Sequence, residues 1–209
     1  NLIHKYIVSM GAKPSFLGYG DFPKSSCISI NNVVIHGIPS KKRIIKSGDI
    51  VSIDVGACIH GYHGDNAYTF PCGDISPEAQ NLLKTTEESL YEGIKKARIG
   101  NRIGDIGNTV EEYVKARGYS VVRDFVGHGV GALLHEDPSV PNYGKPGHGP
   151  RLVKGMTIAI EPMVNVGTEK VVILDDNWTT VTADNKLSAH FEHTISITPD
   201  GPLILTNPD

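Results

Sequence analysis

The sequence predicts an α+β domain in which a curved, mainly antiparallel sheet carries helices on one face. Strand-like runs lie before residue 71 and after residue 156, and two helical segments lie between them. With 209 residues, 39% of them hydrophobic and 21% charged, the chain is long enough to bury one sizeable core. We therefore expect residues 1–209 to form a single domain.

Two helices are indicated by their end signals. Ser76 is a favourable N-cap, Pro77 suits the first helical position, and the apolar spacing continues until shortly before Gly100. A second helix is predicted from residue 103 or 104 to Arg117, where a glycine follows as a stop signal. The segment from residue 2 to residue 8 resembles the end of a further helix.

Strand signals flank the helices on both sides. These runs are rich in β-branched and apolar residues and are bounded by turn residues. The predicted strands are Cys27–Ile30, Ile50–Ile59, Asn66–Phe70, Thr157–Val166, Val171–Leu174, Thr179–Thr182, His190–Ile197 and Leu203–Leu205.

Charge and cysteine content narrow the function classes. The net charge is −3 and the isoelectric point about 6.3, so the chain lacks the basic excess of a nucleic-acid or membrane-surface binder. No apolar run approaches the ~18 residues of a membrane span, and no signal-peptide pattern opens the sequence. Three cysteines without a CxxC pair fit a reducing compartment, so we expect a cytoplasmic protein.

Three carboxylates stand inside apolar, strand-like runs. Asp54 lies in VSIDV, Glu161 in IAIEPM and Glu192 in HFEHTI. A buried carboxylate must be paired, protonated or bound to a metal, and any one of these alone is compatible with a salt bridge in the core. Because these short runs contain no Lys or Arg, three such acids on separate strands favour a metal site.

A fourth acid, Asp65, follows Asp54 across a glycine-containing segment. A hairpin centred near Ile59 and His60 would place the two carboxylates directly across from each other. Opposed carboxylates repel unless a cation lies between them. The alternative interpretation is that Asp65 is a solvated residue at the tip of the hairpin.

Two histidines occupy the next loop-rich stretch. His128 lies in VGHGVG, where glycines permit close backbone approach, although a turn or core histidine is an equally good interpretation of that motif alone. His135 follows in HEDP and would suit a proton donor. One imidazole among carboxylates suits Mn, Co, Fe or Zn rather than thiolate-bound zinc. Two such ions ~3.5–4 Å apart hydrolyse amides or phosphates.

Six sequence blocks occur in a fixed order: SIDVG, HGDNAYTF, VGHGVG, HEDP, TIAIEPM and SAHFEHTI. This ordered set resembles the type I methionine aminopeptidases over essentially the whole chain, less the family's N-terminal helix. The resemblance implies the pita-bread fold, in which two similar halves related by a pseudo-twofold axis surround a metal site. We accordingly expect residues 1–209 to be one catalytic domain whose N-terminal helix region is missing.

The resemblance also implies a set of metal ligands. Asp54 would bind one divalent ion and His128 the other, together with Glu161, while Asp65 and Glu192 would bridge both ions. Glu161 would in addition handle the proton of the attacking water. A weak alkali-metal site would use the backbone around Asn31 and Val33, and Ser188.

Substrate contacts are implied in the same way. His135 would hydrogen-bond the scissile peptide, and His36 would contact the peptide close to it. The pocket for the methionine side chain would be formed by Tyr19, Phe22, Cys27 and Trp178. Two residues depart from many relatives, Leu134 in place of an aromatic residue and Phe16 in place of a small one, and both bear on the shape of the pocket.

The implied activity is removal of the initiator methionine from nascent proteins whose second residue is small. The partners would be nascent chains and the ribosome, and a monomer is expected. The first alternative is a prolidase or aminopeptidase P, but these carry an Arg shortly after the bridging Asp, whereas Asn66 follows Asp65 here. A type II enzyme would have a large insertion between His128 and Glu161. The second alternative is a non-catalytic pita-bread binding module, which would lack ligands that this chain keeps.

Overall fold

The computed structural model describes residues 1–207. Three α-helices are present, α1 (Leu2–Ser9), α2 (Pro77–Lys96) and α3 (Ile103–Lys115), and a 3₁₀ turn covers Tyr19–Asp21. The strands are β1 (Lys13–Pro14), β2 (Cys27–Ile30), β3 (Val33–Ile35), β4 (Ile50–Ile59), β5 (Tyr62–Pro71), β6 (Ser120–Val121), β7 (Gly127–Gly129), β8 (Glu136–Val140), β9 (Thr157–Ile160), β10 (Met163–Asn165), β11 (Val171–Ile173), β12 (Thr180–Thr182), β13 (Ser188–His190), β14 (Glu192–Thr198) and β15 (Gly201–Ile204).

One large sheet forms the centre of the fold. Its main path runs β1-β4-β5-β14-β9-β7-β8, with β2 also paired to β4 and β15 to β14. Two three-stranded sheets, β13-β10-β6 and β11-β12-β3, complete the structure. Within residues 1–207 every strand pairing is antiparallel, as predicted. No helix in this part of the chain is long and apolar enough to cross a bilayer.

The main hydrophobic core lies between the sheet and the paired helices α2 and α3. The apolar positions predicted on these helices are buried, with Leu82, Val110 and Val114 fully inaccessible. A side chain at Gly93 would place its Cβ 2.8 Å from a methyl group of Val110, so α2 approaches α3 closely at this point. Ser76 caps α2 as predicted, accepting a hydrogen bond from the Ala79 amide at 3.1 Å.

Several element boundaries differ from the predictions. Strands β2 and β4 have the predicted bounds, whereas β5 is twice as long as the predicted Asn66–Phe70. Helix α3 ends at Lys115, two residues before the predicted Arg117. Five short strands were not predicted: β1, β3, β6, β7 and β8. Because four of these have only two or three residues, their sequences are too short to show an alternating pattern.

The predictions of single strands over Thr157–Val166 and His190–Ile197 are wrong, because each run is divided between two sheets. Strand β9 belongs to the large sheet, but after Glu161 and Pro162 the chain continues as β10 in a small sheet. Pro162 has no N–H to donate, which ends the ladder there. The second run changes sheet at Phe191, between β13 and β14. Glu161 and Glu192 therefore both lie where the chain passes from one sheet to another.

The predicted register of the first hairpin is also wrong. Asp54 pairs with Ala67, and Asp65 pairs with Gly56, so the two acids are diagonal rather than directly opposed. The reason is the turn, which is centred on His60 and Gly61, both with positive φ of 52° and 85°. A two-residue hairpin turn of this kind requires positive φ at both central positions, which a glycine in the second position favours. Both acids nevertheless project from the same face of the sheet.

Truncation of Leu82 tests the central role of the α2–α3 core. We expect Leu82→Ala to lower the free energy of unfolding by ~2–5 kcal/mol, because the side chain is fully buried and its removal leaves a cavity. Leu203→Ala is the control, since that side chain is 54% exposed and should change stability by less than ~0.5 kcal/mol. Urea unfolding followed by circular dichroism measures both, and equal losses would contradict this account of the core.

Candidate metal centre

A row of paired residues crosses four strands on one face of the large sheet. Cys27 pairs with Asp54, Asp54 with Ala67, and Ala67 with Glu192. Asp65 lies two residues before Ala67 on β5 and therefore on the same face. The small side chain of Ala67, which is 2% exposed, leaves room between the carboxylates. Antiparallel pairing thus brings together three of the predicted ligands from distant parts of the sequence.

His128 enters the same space from β7, on the other side of the sheet's centre. Its flanking glycines are required by close packing, because a Cβ at Gly127 would lie 2.3 Å from the Ala159 carbonyl oxygen and one at Gly129 only 2.5 Å from that of Asp137. The close backbone approach expected from the VGHGVG motif is therefore confirmed. The ring lies in the interior, since His128 is only 9% exposed.

The tautomer of His128 follows from its hydrogen bond. Its Nδ1 lies 2.9 Å from the Gly129 carbonyl oxygen, which can only accept, so Nδ1 carries the proton. Nε2 then presents a lone pair to Glu161 Oε1 at 3.5 Å and Asp65 Oδ2 at 3.9 Å. A lone pair facing two carboxylates is unfavourable without a cation between them. This is the orientation of a histidine prepared to bind a metal.

Burial and mutual repulsion disfavour the charged forms of the four acids. Burial, followed by the charges of neighbouring carboxylates, raises the pKa of Asp54 and of Glu192 well above their usual values. Burial also raises the pKa of Asp65 and that of Glu161 to about 7. Within residues 1–207, no Lys or Arg lies within 4.0 Å of these carboxylates to neutralise them. The protein itself therefore does not supply the compensating charge.

The donor atoms fit one or more divalent ions. Oxygens of Asp65 and Glu192 and a ring nitrogen of His128 all lie within 4.8 Å of one another. One carboxylate oxygen each of Asp54 and Asp65 is buried without a hydrogen-bond partner. Buried oxygens without donors, next to an imidazole lone pair, are satisfied by hard or borderline cations. The site therefore suits the ions predicted from the sequence, although neither their number nor their identity follows from the geometry.

The four carboxylates line a cavity of about 260 Å³. This cavity contains every catalytic, metal-binding and substrate-binding residue that was predicted from the sequence: Tyr19, Phe22, Cys27, His36, Asp54, Asp65, His128, His135, Glu161, Trp178 and Glu192. The structure thus brings the whole predicted set together. Their individual roles remain predictions.

The cavity also contains an apolar pocket. Phe22 and Cys27 form a buried cluster with Phe16 and Leu134, the two residues expected to bear on the shape of this pocket. Trp178 closes this cluster, with its ring edge-to-face against Phe22 at a centroid distance of 5.0 Å. Burial, followed by the charge of Asp54, raises the pKa of the Cys27 thiol, so Cys27 serves as a neutral apolar wall.

Two further histidines face the cavity. His36 has a left-handed backbone with φ of 57°, and its ring packs edge-on against Phe125 and Trp178. His135 packs against His128, a predicted ligand, at a centroid distance of 4.1 Å, and its Nδ1 lies 2.6 Å from the Tyr19 hydroxyl. Burial lowers the pKa of His36 and that of His135 to about 4, so both rings are neutral at physiological pH.

The predicted alkali-metal site lies beside this region. Asn31 has a positive φ of 58°, and its carbonyl oxygen accepts a hydrogen bond from the Ser188 amide at 2.9 Å. Asn31 and Ser188 are thus in contact, and the site itself remains a prediction.

Three polar residues that support the ligands were missed by the sequence analysis. The Thr194 hydroxyl accepts from the Asp65 amide at 2.9 Å and donates to its carbonyl at 2.7 Å. The Thr69 hydroxyl does the same for the backbone of His190, at 3.0 and 2.7 Å. These bonds flank the short ladder between β5 and β14. The His190 ring is 2% exposed, and its Nε2 lies 3.5 Å from Glu161 Oε2.

Comparisons with known proteins agree on the family. Residues 1–199 match the model for metallopeptidase family M24. The chain is 57% identical to the methionine aminopeptidase of Clostridium perfringens over 98% of its own length and 82% of that protein's. It is 53% identical to methionine aminopeptidase 1 of Bacillus subtilis, with the same coverage. The chain belongs to the methionine aminopeptidases of metallopeptidase family M24.

Solved structures place the fold in the same family. The crystal structure of methionine aminopeptidase from Rickettsia prowazekii matches with a TM-score of 0.97 and 43% identity, covering 99% of this chain and 83% of that one. The prolidase from Pyrococcus horikoshii matches less well, with a TM-score of 0.71, 26% identity and coverage of 88% and 48%. The predicted pita-bread fold and the predicted family are confirmed, and membership makes the chain a metal-dependent aminopeptidase, a hydrolase.

Neutral substitutions of the central ligands test the metal centre. We expect Asp65→Asn and Glu192→Gln each to weaken Mn²⁺ binding at least tenfold, ~1.4 kcal/mol, because each removes a buried donor charge. The metal-free variants should be no less stable than the metal-free wild type, since one source of repulsion is gone. Calorimetric titration and thermal unfolding measure the two effects.

Glu112→Gln is the matched control, because Glu112 is exposed on α3 and should not alter metal binding. Normal Mn²⁺ affinity in both ligand variants would remove Asp65 and Glu192 from the metal site.

Proposed function

We propose that this chain removes the N-terminal methionine from newly made proteins whose second residue is small, using two divalent metal ions. The observation that carries this proposal is the cavity itself, in which an apolar pocket around Phe22 adjoins a cluster of four carboxylates, buried or partly buried, and a histidine. A peptide whose first side chain fills the pocket has its first peptide bond beside that cluster.

The ligand assignment follows the position of each donor. Asp54 lies at the β4 side and His128 at the β7 side, so we assign Asp54 to one ion and His128, with Glu161, to the other. Asp65 and Glu192 lie on the strands between them and would serve as ligands to both ions. Mn, Co, Fe and Zn all suit this donor set. When bound, the ions supply a water activated for attack and polarise the carbonyl of the scissile bond.

Glu161 is placed to move a proton during the reaction. One of its oxygens faces His128 at 3.5 Å and the other faces His190 at the same distance. Burial raises its pKa to about 7, which supports a role in proton transfer. We assign to Glu161 the acceptance of a proton from the attacking water and its transfer toward the leaving amine.

His135 and His36 act on the peptide. Both rings are neutral and border the cavity, so each can donate a single N–H to a carbonyl oxygen without introducing a positive charge beside the metals. We assign to His135 the hydrogen bond to the reacting peptide group and its developing negative charge. His36, packed between Phe125 and Trp178, holds the peptide close by.

The proposal favours methionine removal over proline-directed cleavage. Prolidases and aminopeptidase P carry an Arg shortly after the bridging Asp, whereas Asn66 occupies the next position here and pairs with His193. Identity to the prolidase from Pyrococcus horikoshii is 26%, against 57% to a methionine aminopeptidase. All proposed ligands and helper residues come from one chain, so a monomer suffices, and nascent chains at the ribosome in the cytoplasm are the proposed substrates.

Peptide specificity tests the function directly. We expect kcat/KM for Met-Ala-Ser to exceed that for Met-Leu-Ser and Lys-Ala-Ser by at least ~100-fold, since a bulky second residue or a charged first one does not fit an enclosed apolar site. A norleucine-initiated peptide should still be cleaved, because one methylene in an apolar pocket is worth only ~1–3 kcal/mol. Equal rates for all peptides would indicate a broad aminopeptidase, and preference for Xaa-Pro peptides would indicate a prolidase.

Removal of the His135 ring tests its assigned role. We expect His135→Ala to keep both metals and to lower kcat by ~10²–10³, the scale of a lost donor to a developing oxyanion. His148→Ala is the control, because that ring is exposed and remote from the cavity. Metal loss in His135→Ala, with no separate defect in the metal-saturated enzyme, would show that His135 is a ligand instead.

A further inference from the structure

Tyr19 is a predicted residue of the side-chain pocket, and its hydroxyl also contacts His135. Its oxygen lies 2.6 Å from Nδ1 of His135, and the two rings are tilted against each other with centroids 4.9 Å apart. A neutral hydrogen bond of this length is short and well formed. The contact joins a residue of the side-chain pocket to a residue proposed to act on the peptide bond.

The backbone around Tyr19 fixes the direction of its ring. The Tyr19 amide donates to the Phe16 carbonyl at 3.0 Å, and the Phe22 amide donates to the Tyr19 carbonyl at 2.9 Å. Phe16 and Phe22 are 9% and 3% exposed, so both ends of this turn are held in the apolar cluster. Gly20 lies against Trp178, where an added Cβ would be 3.3 Å from the indole ring. Tyr19 therefore projects toward His135 from a supported turn.

The hydrogen bond determines which nitrogen of His135 carries the proton. A phenol, with a pKa of about 10, is a far better proton donor than a neutral imidazole, so Tyr19 O–H donates and Nδ1 accepts. Neutral imidazole then carries its proton on Nε2. With Nδ1 engaged by Tyr19, Nε2–H is the group that remains available to the cavity next to His128.

The opposite tautomer would be unsuited to the reaction. If Nδ1 carried the proton, Nε2 would present a lone pair, which repels a carbonyl oxygen that is gaining negative charge. The hydrogen bond from Tyr19 excludes this tautomer. Tyr19 therefore stabilises the transition state indirectly, through His135, and not by touching the reacting group itself.

We propose that Tyr19 is a positioning residue, whose hydroxyl holds His135 in the Nε2–H tautomer and directs that N–H at the reacting peptide group. The proposal rests on the proposed function. Because the Tyr19 ring also lines the pocket, the residue that contacts the methionine side chain is the one that orients the donor. Recognition of the first side chain is thereby linked to kcat as well as to KM.

Tyr19→Phe keeps the ring in the pocket wall and removes only the hydroxyl. We expect kcat for Met-Ala-Ser to fall about tenfold, on the scale of one lost hydrogen bond, while KM stays within about twofold. Tyr62→Phe is the matched control, since that tyrosine is 68% exposed on the β4–β5 hairpin and lies outside the cavity. An unchanged kcat, or a change in KM alone, would leave Tyr19 as a pocket wall and overturn the proposal.

A double variant separates action through His135 from an independent effect. In the His135→Ala background, Tyr19→Phe should lower kcat less than about twofold further, because the residue on which the hydroxyl acts is already absent. A full tenfold loss in that background would show that the hydroxyl does not act through His135.

The tautomer itself can be observed without turnover. Long-range ¹H–¹⁵N correlation spectra of the zinc-loaded chain, assigned with His135→Ala, should show His135 protonated at Nε2 and unprotonated at Nδ1. Tyr19→Phe should shift this pattern toward a mixture. A wild-type His135 protonated at Nδ1 would overturn the proposal even in a fully active enzyme. Conversely, absence of methionine removal by the wild type would overturn the proposed function and leave the tautomer result standing.

Discussion

The placement of four carboxylates in the protein interior, two of them buried and two partly buried, is the constraint on which the rest of this structure depends. Net folding free energies are only ~5–15 kcal/mol, and the effective cost of burying each unpaired charge is several kcal/mol. The chain nevertheless places Asp54, Asp65, Glu161 and Glu192 in one cavity, with no Lys or Arg of residues 1–207 beside them. Strands that are hydrogen-bonded into a single sheet hold three of these acids, and the α2–α3 core supports that sheet. The protein thus provides a set of carboxylate donors whose charged forms a cation would stabilise.

The candidate metal-binding acids could be predicted because they interrupt the apolar pattern around them. A carboxylate within an apolar run is conspicuous in a sequence, and the ordered blocks then identified the family. The register of the β4–β5 hairpin was harder to predict, because it depends on which two residues of the turn take positive φ. The turn lies one residue further along the chain than predicted, and the partner of Asp54 is therefore Ala67 rather than Asp65. The changes of sheet at Pro162 and Phe191 were also missed, because an apolar run looks the same in either sheet.

The polar residues that support the candidate ligands could not be predicted from the sequence, for a different reason. Thr69, Thr194 and His190 are ordinary strand residues in the sequence, and their function arises only when distant strands meet. Two threonine hydroxyls replace backbone ladder bonds on either side of the Ala67–Glu192 pair, where β5 and β14 diverge. The link from Tyr19 to His135 joins positions 116 residues apart. Such contacts have no local periodicity or spacing by which a sequence could reveal them.

The changes of sheet at Glu161 and Glu192 have a consequence for how the site is adjusted. Strand β10 of the small sheet begins just after Glu161, strand β13 of the same sheet ends just before Glu192, and their residues Val164 and Ala189 are packed in the core with α2. Because His193 pairs with Ile160, Glu192 and Glu161 flank one ladder between β14 and β9, and a single residue, Phe191 or Pro162, joins each acid to the small sheet. Packing between the small sheet and α2 therefore bears directly on the segments that carry both carboxylates. A change of side-chain volume in this core is a means of adjusting the site without replacing any of its acids.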